Sequence, residues 1–486
     1  MLLLAAVSIA MPSCEKLEDL NVNPNKIVLG ETTPDAILQD LINSGTWTLL
    51  YRSWRINSDL MQYSMQSDGL EKISCFVLKS SDSQTLWYNL SGSCRSAVHM
   101  ASLAVEQNDA NSEAIALTLK AFYVSAMTDL FGDMPYSQAF RIITDNISQH
   151  VYDEQSEIYA ALCADLRRAD ALYDTSAEYK GASYDLLYNG DLTKWQKFTN
   201  ALRLRLLMRQ SKQVDVSEEM TDIVANRPIF ASNADGAILR YTGISPFFNG
   251  FGPSGSLAYP AMSQNKRMCS RLIDLLAVCD DPRLEKFAEQ VKVDGEMVYA
   301  GMLSGQSDDY INAHKGVTSN FAKALSSDTQ PTTLLSFAEQ EFILAEASIR
   351  GFIAGDAANY YNTGVRASIT EWCGDDAMAR ADAVLASPRA AYDGTAERIM
   401  EQKWVSLFMV GFESWCDYRR TALPTLVFGP ACENFDAAGM PQMPTRLCYP
   451  IISQTTNRAN YQAAVERMGG NDDMLTKVWW ANGDRY

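Results

Sequence analysis

Residues that could perform catalysis are scarce, and their spacing is wrong for it. The only histidines, His99, His150 and His314, lie far apart with no HExxH or similar spacing. That removes most zinc sites and many acid–base mechanisms. Acidic doublets stand at Glu218-Glu219, Asp280-Asp281, Asp375-Asp376 and Asp472-Asp473. A glycosidase needs two carboxylates on either side of a sugar bond, which neighbours in one segment do not provide, so the doublets are expected on solvated surface. No loop has the DxDxDG pattern of a Ca²⁺ site, and the Gly-rich run 250–255 lacks the Lys-Ser/Thr of a phosphate loop. No catalytic residue, metal ligand or cofactor is expected.

Binding chemistry is better supplied. The chain holds 9 Trp, 22 Tyr and 18 Phe. Most such rings pack cores, but a flat aromatic face also receives the apolar face of a sugar. The candidates are rings outside regular helices: Phe247, Phe248 and Tyr259 in GISPFFNGFGPSGSLAYP, with Trp54 and Tyr63 as walls. Asn249 adds a donor and an acceptor. Such a loop on a helical scaffold would stack on sugars or grip peptide side chains. The competing expectation is that these rings plug the gap between scaffold and loops.

Helical periodicity dominates the elements that would carry this loop. Thr33-Pro34-Asp35 starts a helix with Pro in its first turn, and apolar spacing continues through Trp47, Leu50 and Trp54. Two helices over 84–130 flank a break at residues 108–111, and two more cover 153–174 and 194–212. Residues 227–265 are rich in Gly, Pro and Ser and cannot form a regular helix. Helical signal returns at 269–290, and 291–335 is loop-like with a short hairpin. Two amphipathic helices at 338–351 and 356–372 resemble a tetratricopeptide unit. In EQKWVSLFMVGFESWCDYRRTALPTL (401–426), Trp404, Leu407, Phe408, Gly411 and Trp415 share one helical face, which predicts a core stripe ended by Pro424. Arg420 is expected to pair with a carboxylate or cap carbonyls. Trp479 and Trp480 either pin the C-terminus or face a partner.

The formal net charge of −18 disfavours nucleic acid and polyanions, and suits neutral sugars or cationic peptides. Ten cysteines include no CxxC pair. MLLLAAVSIAMPSC is an apolar run too short to span a bilayer, ending in Ser13-Cys14. It resembles the lipobox of bacterial lipoproteins, so 1–13 is expected to be a signal peptide and Cys14 the lipidated residue. EKLEDL then resembles a surface-export signal, and 14–32 is expected to be a tether. The remaining nine cysteines are an odd, scattered set; they read as small buried residues, with one or two disulfides conceivable after export.

The lipobox, DLNVNPN, FGDMPYSQAF, NALRLRLLMR, AEQEFILAEASIRG, the 401–426 block, MPTRLCYP and KVWW occur in this order. Together they resemble the SusD/RagB family, in its SusD-like outer-membrane nutrient-binding branch. The resemblance implies a mainly α fold of tetratricopeptide-like helix pairs packed against an irregular, loop-rich half. We expect one such domain over 33–486, with the scaffold at 84–226 and 337–420 and ligand-side insertions at 227–335. It implies no catalysis, a lipid anchor facing the cell exterior, and capture of oligosaccharides or peptides for a SusC-like TonB-dependent transporter. A helical-repeat adaptor without a small ligand and an α-rich glycan-degrading enzyme remain the alternatives.

Overall fold

Four of the long helices begin where a short polar side chain accepts from a free N–H of the first turn. The computed structural model describes residues 32–68, 71–139, 148–435 and 439–483, so Cys14 and the proposed tether up to residue 31 lie outside the described residues. Helix α1 (Pro34–Arg55) has Pro in its first turn, Asp35 near its positive end, and Arg52 and Arg55 near its negative end. Helices α2 (Ser80–Glu106) and α3 (Ala110–Phe131) are joined by a short break in which Asn108 takes a left-handed turn. Asp109 then caps α3 by accepting from Ser112 N–H at 3.0 Å. Helices α4 (Gln155–Leu172) and α5 (Leu192–Gln210) follow, the latter capped by Asp191. Further on, α6 (Phe337–Ile349) and α7 (Ala357–Cys373) are capped by Ser336 and Asp356.

Successive helices pack on one another: α1 on α2, α2 on α3, α3 on α4, α4 on α5, and α6 on α7. The expected mainly α architecture of helix pairs is therefore present. Helix α3 is long and apolar enough to cross a membrane by length and composition, yet it is almost wholly buried by its neighbours.

Strands are short. Strand β1 (Ser64–Gln66) pairs with β3 (Lys266–Met268), and β2 (Ala237–Leu239) with β6 (Thr332–Leu335). The hairpin expected in 291–335 is β4 (Val291–Val293) with β5 (Glu296–Val298), turned at Asp294-Gly295.

One expectation is corrected. The 401–426 stripe is two helices, α8 (Ala396–Ser406) and α9 (Glu413–Thr421), not one. In the turn between them Met409 and Gly411 both have positive φ, 64° and 46°, which redirects the chain. Trp404, Leu407, Phe408 and Trp415 are nevertheless all buried, because the turn packs into the same core.

That core is built around paired charges. Arg420, fully buried, makes a two-pronged ion pair with Glu346 of α6 and also meets Asp417 at 3.1 Å. Lys403 holds the other side of Asp417 at 2.7 Å. Burial pushes the Asp417 carboxyl up, but Lys403 and Arg420 outweigh it and hold the group well below the usual carboxylate range. Arg205 grips Glu339, and Arg209 bridges Asp129 and Glu413. Trp480 settles its alternatives: it is buried, donates to Asp129 at 2.8 Å, and lies under Arg419. It pins the C-terminal segment.

Candidate ligand-binding cleft

The cleft with the best chemistry for a ligand lies between α1, α2 and the loop 241–256, with a volume of about 680 Å³. Its α1 wall presents Asp40, Asn43, Ser44, Trp47 and Thr48; its α2 wall presents Tyr88, Asn89, Gly92, Ser93 and Arg95. The i, i+4 spacing of Asn43 with Trp47, and of Tyr88 with Gly92, puts each set on one helix face.

Trp47 is held from behind. It stacks on Tyr51 at 5.8 Å and meets Phe251 edge-on at 5.1 Å. The loop passes so close that a Cβ at Gly250 would overlap the Trp47 ring. Asp328 fixes the same loop by accepting from Ser254 N–H and Oγ at 2.8 Å each. Tyr88 stands opposite with 53% of its surface exposed. Among the described residues, the amides of Asn43 and Asn89 and the guanidinium of Arg95 make no side-chain hydrogen bond or ion pair. Gly92 has open space where a Cβ would point, so nothing in the packing requires glycine there. An interior helix Gly costs about 1 kcal/mol relative to Ala, and here it widens the floor.

The residues anticipated from sequence divide sharply. Phe248 lines this cleft. Phe247 is half-buried beside it, in a tight turn where its N–H donates to Ile244 C=O at 2.7 Å, and does not line it. Tyr259 is also half-buried and off the cleft, its N–H bound to Ser326. Trp54 lies behind Trp47 in the aromatic row, nearly buried against Tyr51 and Phe251 with Lys266 over its ring. Two expectations are corrected. Tyr63 is fully buried, stacked on Trp404 at 4.8 Å with its OH donated to the Trp404 carbonyl, so it has no face for a ligand. Asn249 is 1% exposed and spends its amide on Gln330 C=O and Phe251 N–H, each at 2.9 Å. It builds the loop rather than the pocket.

A family model described as starch-binding and associating with the outer membrane, SusD-like, matches residues 24–450. The chain belongs to the SusD-like family. Solved structures agree. A chitin-binding protein is 28% identical over 93% of this chain and 100% of its own, with a TM-score of 0.79. A SusD homologue from Bacteroides fragilis is 25% identical, covering 92% and 99%, with a TM-score of 0.78. A Bacteroides vulgatus protein described as a "putative outer membrane protein, probably involved in nutrient binding" is also 25% identical, covering 93% and 100%, with a TM-score of 0.78. No curated protein matches the chain. SusD-like proteins are binding proteins associated with the outer membrane, and a role in nutrient binding follows for this member.

Proposed function

We propose that this SusD-like protein captures oligosaccharides at the bacterial surface, in the α1–α2 cleft, and passes them to a SusC-like TonB-dependent transporter. The single observation that carries the ligand class is the cleft's inventory. It offers three lining rings (Tyr88 exposed, Trp47 and Phe248 half-buried) beside amides with no partner among the described residues (Asn43, Asn89). Rings and amides are what a neutral sugar needs: an apolar face to stack on, and paired donors and acceptors for hydroxyls. Its lining holds one cation, Arg95, and one carboxylate, Asp40, so the cleft carries little net charge. A single carboxylate does not supply the pair that glycoside hydrolysis uses, which favours binding without turnover. The chitin-binding and starch-binding descriptions of its relatives point the same way.

Anchoring through Cys14 and orientation toward the exterior belong to the same proposal. Calorimetry with chito-oligosaccharides, malto-oligosaccharides and a mixed peptide digest tests the ligand class. We expect heat from one saccharide series, with affinity falling about tenfold (about 1.4 kcal/mol) in Tyr88→Ala. Binding of peptides alone, or saccharide binding unchanged by Tyr88→Ala and Asn89→Ala together, would reject the proposed cleft or its ligand.

A further inference from the structure

The nine cysteines among the described residues are all unbonded thiols. Two of them accept hydrogen bonds: Cys163 from Gln210 at 3.2 Å, and Cys416 from Arg419 at 2.9 Å. Cys75 and Cys432 instead donate to backbone carbonyls. They sit on two distant stretches of chain that run together, one the short turn Ile73–Cys75, the other the loop after α9.

Four contacts fix this juxtaposition. Glu433 N–H donates to the Cys75 carbonyl at 2.9 Å. The Cys432 sulfur lies 3.8 Å from the Ser74 carbonyl, and the Cys75 sulfur 3.7 Å from the Gln306 carbonyl. A Cβ placed on Gly305 would fall 2.9 Å from the Cys432 sulfur. Both sulfurs therefore border the same dipeptide, Gly305-Gln306. With ordinary backbone dimensions, a hydrogen bond to the residue after Cys432 puts the two Cα atoms roughly 6 Å apart, within the span of about 4.4–6.8 Å that a disulfide bridges. Burial pushes the Cys432 thiol up to about 12, and the neighbouring Cys75 adds to the rise.

We propose that Cys75 and Cys432 are joined by a disulfide in the exported protein, tying the 73–76 turn to the 427–433 loop. This rests on the export reading above, because disulfides persist only in oxidising compartments. The oxidant is the disulfide of a thiol–disulfide oxidoreductase. One cysteine thiolate attacks it to give a mixed disulfide, and the second displaces the oxidoreductase by attacking the chain's own sulfur. The S–S bond forms, two electrons pass to the oxidoreductase, and its two sulfurs leave as thiols carrying the two protons. Buried thiols with raised pKa exchange slowly, so the bond forms as the chain folds and is then shielded from reductant. The loop gains a covalent hold where it otherwise relies on Phe76 against Phe428 at 5.0 Å, Gln62 to the Val427 carbonyl, and Ala431 to the Gly305 carbonyl.

The test recovers the full chain from the cell envelope under iodoacetamide and maps its peptides without reduction. The expected result is one joined pair containing Cys75 and Cys432, which separates on reduction with a gain of two hydrogens. In the unreduced Cys432→Ser protein, Cys75 should become alkylatable, and reductant should no longer lower the thermal midpoint as it does in the wild type. Alkyl groups on both cysteines, or either one bonded to a different cysteine, would overturn the pairing. Recovery of the protein in the cytoplasm would defeat the export reading instead. The purified chain refolded in oxidised and reduced glutathione then decides the pairing by the same peptide map.

Discussion

The guanidinium of Arg420 and that of Arg95 sit in opposite environments. Arg420 is wholly buried, between Glu346 and Asp417, with Lys403 completing the group. Arg95 stands exposed at the rim of the cleft, with no ion-pair partner among the described residues. The contrast extends to the rings. Trp404, Trp415 and Trp480 are sealed and donate their N–H groups to Met61 C=O, Pro444 C=O and Asp129 respectively. Tyr88 and Phe248 keep open faces. One region has paired its charges with one another inside the protein, so it holds shape. The other leaves them unspent, so it can only act through something that arrives. The most recognisable sequence block of the chain is therefore the wrong place to seek the ligand.

The largest expected effect comes from breaking the saturated region. Arg420→Ala takes the two-pronged partner from Glu346 and leaves Asp417 to Lys403, in a dry core, and should cost about 3–5 kcal/mol, the range for removing one partner of a buried pair. Arg420→Met retains some of the packing but removes the same ion pairs, so it should recover only a small part. Urea denaturation reads both. A loss below about 1 kcal/mol would mean the group is hydrated and the contrast with Arg95 is false. Trp415→Ala follows at about 3–4 kcal/mol, because it opens a cavity and frees the Pro444 carbonyl, and Arg419 loses the ring 4.1 Å beneath it. Oligosaccharide affinity in the surviving folded fraction should be unchanged.

Next in size is a contrast within the loop. Phe248→Ala should weaken saccharide binding by about tenfold, or about 1.4 kcal/mol, while Phe247→Ala leaves it within twofold. Both rings are half-buried, and of the two only Phe248 lines the cleft. Equal losses would mean that both act through the loop's conformation.

Much of the fold was legible because helix boundaries follow local chemistry. Pro34, Asp109, Asp191, Ser336 and Asp356 mark starts that need no tertiary information. The break at 407–412 was not, because an apolar stripe records burial, and a buried turn leaves the same stripe as a helix. The cleft was harder still. Trp47 shares its helix and its spacing with Leu50 and Trp54, and only the position of the 250–255 loop decides which ring keeps a free face. Asn249 failed for a related reason: its donor and acceptor are real, but the loop uses both. The best unused clue was Gly92, a glycine in a 27-residue helix with nothing packed against it.

The smallest effect tests whether the saturated region has exceptions. Glu341 on α6 is 7% exposed, and its hydrogen bond comes from neutral Gln340 at 3.3 Å rather than from a cation. Burial raises its carboxyl to about 7, and the Gln340 bond only partly opposes this. The native state then binds this proton more tightly than the unfolded chain, whose glutamate titrates near 4.3. Between roughly pH 4.3 and pH 7 the folded protein holds more protons, so its stability falls as pH rises and then levels off. Glu341→Gln removes the titration while keeping the shape. It should be neutral at pH 4 and stabilise by about 1–2 kcal/mol at pH 8, read as a difference between denaturation curves of the two proteins. The Arg420 group predicts the reverse slope for its own carboxylates, whose paired Glu346 and Asp417 sit below their ordinary values and lose stabilisation as pH falls. A variant that stabilises equally at pH 4 and pH 8 would show that Glu341 is hydrated, and that even this lone carboxylate has found a partner in solvent.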